Sequence, residues 1–109
     1  MFVDLEGSDP DFSVTTSVSD ERVLVTVAGE VDMSTADGMF RAATKDGAGA
    51  ATLDLRAVTF FDSAAIHALI RLAERFPDGF EVIPSAPVRR VLDISGLSSQ
   101  PWLVQGEPG

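Results

Sequence analysis

The feature that most constrains this chain is the passage at residues 51–76 from an apolar strand straight into an amphipathic helix. Residues 51–55 (ATLDL) have the composition of a buried strand, which resumes after a turn at residues 58–61 (VTFF). Asp62 and Ser63, both good helix N-cap residues, come next. Ile66, Leu69, Ile70, Ala73 and Phe76 then recur at helical spacing, while His67, Arg71, Glu74 and Arg75 fall on the other side. Pro77-Asp78-Gly79 ends the helix. A strand that feeds a helix of this kind must lay it back over a sheet, so the segment predicts a βα unit.

The rest of the sequence repeats that grammar. Phe12, Val14 and Thr16 alternate with polar neighbours as a first strand. Ser19-Asp20-Glu21 makes a turn, and residues 22–28 (RVLVTVA) form a β-branched second strand closed by Gly29. Ser34 or Thr35 can cap a helix whose buried face is Ala36, Met39, Phe40 and Ala43, with Asp37 favouring its first turn. Residues 80–83 (FEVI) are a short strand. Pro87 opens a last helix running to Ile94, with Val88, Val91 and Leu92 as its apolar face. Ser95-Gly96 provides a left-handed stop from which Leu97 folds back. Trp102, Leu103 and Val104 form an edge strand. The order β-β-α-β-α-β-α-β predicts an α/β single domain, a mixed sheet of four to five strands that is parallel beyond an initial hairpin. Residues 1–11, acidic and carrying Gly7 and Pro10, are expected to be a flexible arm, residues 12–105 the folded domain, and residues 106–109 a tail.

Composition excludes several function classes. With no cysteine and one histidine in 109 residues, disulfides, thiolate catalysis and a histidine- or cysteine-based metal site have no basis, and no cofactor is expected. The net charge of −9 opposes nucleic acid and anionic membrane surfaces and favours a basic protein partner. Neither a basic, apolar leader nor an apolar run of membrane-spanning length is present, so the chain is expected to be cytoplasmic. No phosphate-cradling glycine loop occurs.

Three segments resemble one family. Gly29-Glu30-Val31-Asp32, followed by Ser34-Thr35-Ala36, is similar to the Gly-Glu-Leu-Asp…Thr-Ala signature that joins a strand to the first helix of STAS domains. Leu53-Asp54-Leu55-Arg56-Ala57-Val58-Thr59-Phe60-Phe61-Asp62-Ser63 resembles the second signature, which ends in Asp-Ser at a helix start. Val91-Leu92-Asp93-Ile94-Ser95-Gly96-Leu97 is similar to the segment that closes the third helix.

The resemblance implies a STAS-type fold with helices covering one sheet face, and a role as an anti-sigma factor antagonist. Such a protein binds an anti-sigma factor of the serine kinase type, is phosphorylated by it on the serine after the motif aspartate, and is restored by a serine phosphatase. By motif position the phosphoacceptor is Ser63, and the partner-binding residues are Asp32, Ser34, Thr35, Asp62, Ser63, Ala64 and His67. A monomer or weak dimer is expected. At a helix start a phosphoserine is tolerated by the fold, so its charge acts on the docking surface.

The chain departs from the family pattern in Ala64 and Ala65, where Ser or Thr and then Gly are common. Ala65 therefore adds a methyl where a partner's backbone would approach. The sequence also stops soon after the last strand, where many members add a helix, so some apolar surface is expected to be open. Two rival readings follow from the same residues. Ser63 and His67 stand four apart beside Asp62, but without a nucleophile elbow or a residue to orient the imidazole they predict no enzyme. STAS-like accessory subunits of lipid-transporting ABC complexes, which bind the ATPase, are the alternative in which only the partner changes.

Overall fold

A computed structural model describes residues 3–9 and 11–104. Five strands form one sheet in sequence order: β1 (Val3–Asp9), β2 (Phe12–Ser19), β3 (Arg22–Val31), β4 (Ala50–Phe61) and β5 (Phe80–Pro84). The three helices are α1 (Ala36–Thr44), α2 (Ser63–Arg75) and α3 (Ala86–Ile94). β1, β2 and β3 pair antiparallel, whereas β3, β4 and β5 pair parallel. The mixed α/β architecture is the expected one.

Period-two alternation puts one sheet face in the core. Val23, Val25 and Val27 of β3, Leu53 and Leu55 of β4 and Val82 of β5 are buried against Met39, Ala43, Leu69, Leu72, Phe76, Val88 and Leu92 of the helices. The opposite face carries polar side chains, among them Arg22, which donates to Thr52 Oγ1 (2.8 Å), itself 3.2 Å from Glu81. At the β2–β3 hairpin Asp20 and Glu21 both have positive φ, the backbone a two-residue turn requires.

Four expectations are corrected. The segment read as an acidic arm supplies β1, because an edge strand pairs through backbone groups and tolerates charge that a core strand would not; Met1, Phe2, Pro10 and the expected tail lie outside the described residues. There is no turn between residues 55 and 58: β4 runs through, and its register against β3 shifts twice. Each shift places an extra residue in β4, so the buried positions step from Leu55 to Val58 to Phe61 at intervals of three. The buried face of α2 is centred on Ala65, Ala68, Leu69, Leu72 and the following Phe76, which leaves Ile70 exposed. Residues 102–104 make a single bridge, Leu103 with Val82, rather than a strand.

Among the described residues no helix is long and apolar enough to cross a membrane.

Candidate functional site

The parallel strands β3 and β4 end side by side, with Val31 opposite Phe61, and the N–H of Asp62 donates to the Val31 carbonyl (3.3 Å). Two connections therefore leave one end of the sheet together: residues 32–35, leading to α1, and Asp62, leading to α2. This is the carboxyl edge of adjacent strands, where open α/β sheets place their binding residues.

Gly29 makes the first connection possible. Its φ is +93°, and a Cβ there would sit 2.0 Å from the Asp11 carbonyl oxygen, which accepts from the Glu30 N–H. Beyond it the loop is tied to Asp32. The Asp32 carboxylate accepts from the Ser34 hydroxyl (2.7 Å) and the Ser34 N–H (2.9 Å), and these hydrogen bonds hold its carboxyl below the usual carboxylate range. Thr35 is buried; its hydroxyl donates to the Glu30 carbonyl (2.9 Å) and accepts from the Asp32 N–H (2.9 Å). Thr35 thus shapes the loop from beneath, while Ser34 and Met33 face outward, Met33 with 83% of its surface exposed.

At the second connection the choice between two caps is resolved. Asp62 is the N-cap, its Oδ1 accepting from the Ala65 N–H (3.1 Å). Ser63 is the first helical residue and is exposed, and among the described residues nothing hydrogen-bonds to its hydroxyl. Ala65 is fully buried, so its methyl belongs to the core and not, as expected, to an approaching partner. Ala64 and the exposed His67 line a shallow groove between α1 and α2 with Met33, Phe40 and Arg71. Phe40, expected to be buried, is only half so, and Arg71 covers its ring from 4.1 Å.

The expected residues are thus brought to one end of the molecule, with Thr35 as the layer underneath. Two neighbours were missed, Met33 and the half-exposed Phe60 (49%). The signal for each was an apolar side chain inside a signature otherwise made of polar loop residues or strand ends. Nothing here forms a triad: Asp62 is committed to capping, and no hydrogen bond joins His67 to Ser63 among the described residues.

Comparison with known proteins bears on the fold that carries these connections. No curated protein sequence matches the chain. Among solved structures, an anti-sigma factor antagonist from Mycobacterium paratuberculosis shares 30% identity with a TM-score of 0.75, covering 91% of each chain. The unphosphorylated form of the anti-sigma factor antagonist SpoIIAA shares 20% identity with a TM-score of 0.69, over 87% of this chain and 89% of that one. The phosphorylated form of SpoIIAA, the Bacillus cell fate determinant, shares 20% identity with a TM-score of 0.64, over 87% and 92%. Residues 12–106, which hold both connections and all three helices, match the STAS domain family, so the chain belongs to that family.

Proposed function

We propose that this protein is a cytoplasmic anti-sigma factor antagonist that docks on a kinase-type anti-sigma factor through the end of the sheet around Ser63. The kinase ends the interaction by phosphorylating Ser63, and a serine phosphatase restores it. The observation that carries this reading is the division of labour at the start of α2. Asp62 caps the helix, and the Ser63 hydroxyl is exposed and makes no hydrogen bond among the described residues.

The chemistry suits that position. In the transfer, Ser63 Oγ forms a bond to the γ-phosphorus of ATP as the bond to the bridging oxygen breaks; the hydroxyl proton leaves and ADP departs. The product carries about −1.5 to −2 charges at neutral pH. On the first turn of a helix the backbone dipole stabilises that charge, so the fold tolerates it. Against a partner the same charge meets desolvation, on an end of the sheet where the loop before α1 exposes Met33 and the end of β4 exposes Phe60. A neutral hydroxyl fits such a surface and a phosphate does not.

The mycobacterial neighbour named as an antagonist and the existence of phosphorylated and unphosphorylated forms of SpoIIAA support the assignment. The Ala64-Ala65 departure does not weigh toward the ABC-type alternative, because Ala65 is buried. The test is to incubate the protein with kinase-type anti-sigma factors and ATP and map phosphate by mass spectrometry. We expect one phosphate, on Ser63, and none on Ser63→Ala. Phosphate on another residue, or a complex with an ABC ATPase and none with any anti-sigma factor, would overturn the reading.

A further inference from the structure

The chain has eight basic side chains and a net charge of −9, yet three of the eight line one cavity. Arg56, Arg89 and Arg90 surround an open space of about 780 Å³ with Pro84, Ser85, Ala86, Asp93 and Ser98. It lies where β5 passes into α3, beside Arg56 in the stretch of β4 where the register against β3 shifts. This is a different place from the groove that holds Ala64 and His67.

The three guanidinium groups are not equally engaged. Arg56 donates from Nε (2.9 Å) and Nη2 (2.8 Å) to the two oxygens of Asp54, so its fork is held rigid while its remaining N–H groups stay available. That pairing draws the Asp54 carboxyl below the ordinary range and offsets one positive charge. Arg89 is half-buried and reaches the Val104 carbonyl at 3.5 Å, and Arg90 is exposed. Neither makes an ion pair among the described residues, although Asp93 lies on the same cavity wall. Local charge is therefore positive in a molecule that is strongly negative elsewhere.

We propose that this cavity binds a small, soluble phosphate-bearing molecule, its phosphate held by Arg89 and Arg90 and oriented by the fixed guanidinium of Arg56. Planar guanidinium groups match phosphate oxygens two at a time, which lysines do not. The volume lies in the range of small-molecule sites, and Pro84 and Ala86 give the rest of a ligand an apolar wall. The overall charge decides the source of the phosphate. A bilayer or nucleic acid would meet the whole acidic surface, whereas a small anion meets only the local field. The site does not rest on Ser63.

The experiment titrates the full chain with pyrophosphate and, separately, with AMP, followed by NMR shifts of backbone amides and arginine Nε–H groups, at low and at high salt. Saturable shifts at Ala86, Arg89 and Ser98 are expected, with a Kd below about 1 mM at low salt and weaker binding at high salt. Arg89→Ala and Arg90→Ala should each weaken binding on the order of tenfold. Arg41→Ala, at an exposed pair with Asp37 on α1, should leave it unchanged and so reports non-specific charge effects. Ser63→Ala should also leave it unchanged, which keeps the two proposals separable. Linear, unsaturable shifts, or equal affinity in the Arg89→Ala and Arg90→Ala proteins, would overturn the site. So would loss of anti-sigma factor binding in those variants without any phosphate binding, since the cavity would then read an acidic segment of a protein.

Discussion

Two helices in this protein, α2 and α3, have a serine at or just before their first residue, but the serines do opposite work. At α3, Ser85 is the N-cap and is buried; its Oγ accepts from the Val88 N–H (3.3 Å) and donates to the Val58 carbonyl (2.7 Å). At α2 the cap is Asp62, and Ser63 stands one residue further on, exposed. One serine ties a helix to the sheet. The other is left exposed, where we propose that a second protein docks. A shift of one position in the capping frame separates a structural hydroxyl from an available one.

The largest effect should come from charging the available serine. Ser63→Glu is expected to weaken binding to the anti-sigma factor by about a hundred- to a thousandfold, or roughly 3–4 kcal/mol. Its melting temperature should stay close to that of the parent, because an acidic side chain suits the first turn of a helix. Ser63→Ala should bind like the parent. Calorimetric titration of the three proteins checks this, and equal affinity for all of them would remove the charge switch.

The converse change should spare binding and injure the fold. Ser85→Ala removes a cap and leaves the buried Val58 carbonyl without that donor, a loss of about 2 kcal/mol in all. Urea unfolding should show the loss, while affinity for the partner stays within about twofold. If Ser85→Ala were as stable as the parent, the contrast between the two serines would fail at its structural end. Asp62→Ala sits between them. It should cost about 1 kcal/mol of stability by removing the α2 cap, and it should bind more weakly only to the extent that the first turn frays.

The same contrast marks what the sequence made legible. Helical periodicity, cap residues and β-branched runs located every element of the described domain beyond β1, because these signals are local. The expected site residues Asp32, Ser34, Thr35, Asp62 and Ser63 come from the first two signatures, and Ala64 and His67 follow the second. The register shifts in β4 were not readable. They depend on which residues of β3 lie opposite, and a single sequence does not carry that pairing. β1 was missed for a related reason: its pairing is made by the backbone of β2, while its acidic composition looks like a solvated arm. The frame of the α2 cap was also closed to sequence, since aspartate and serine cap about equally well and only the path of β4 decides which is placed to do so.

The smallest effect concerns the loop that faces Ser63 from the neighbouring strand end. Asp32 holds residues 32–35 in place by accepting from Ser34, and its folded-state pKa lies below its unfolded value for that reason. The sign follows directly. The loop's hydrogen bonds are fully present above the unfolded pKa and are lost as pH falls through the folded one, so near-neutral pH leaves them untouched. In an NMR titration the Asp32 carboxyl should move at lower pH than ordinary aspartates, together with the Ser34 amide. Asp32→Asn should flatten that response at Ser34. The two ends of the site would then differ in kind: at Asp32 the charge is permanent at working pH and serves to shape a loop, whereas at Ser63 charge arrives only with a phosphate and serves to expel a partner. A Ser34 amide that titrated unchanged in Asp32→Asn would mean that some other group organises the loop, and the carboxylate would have to be counted as part of the docking surface instead.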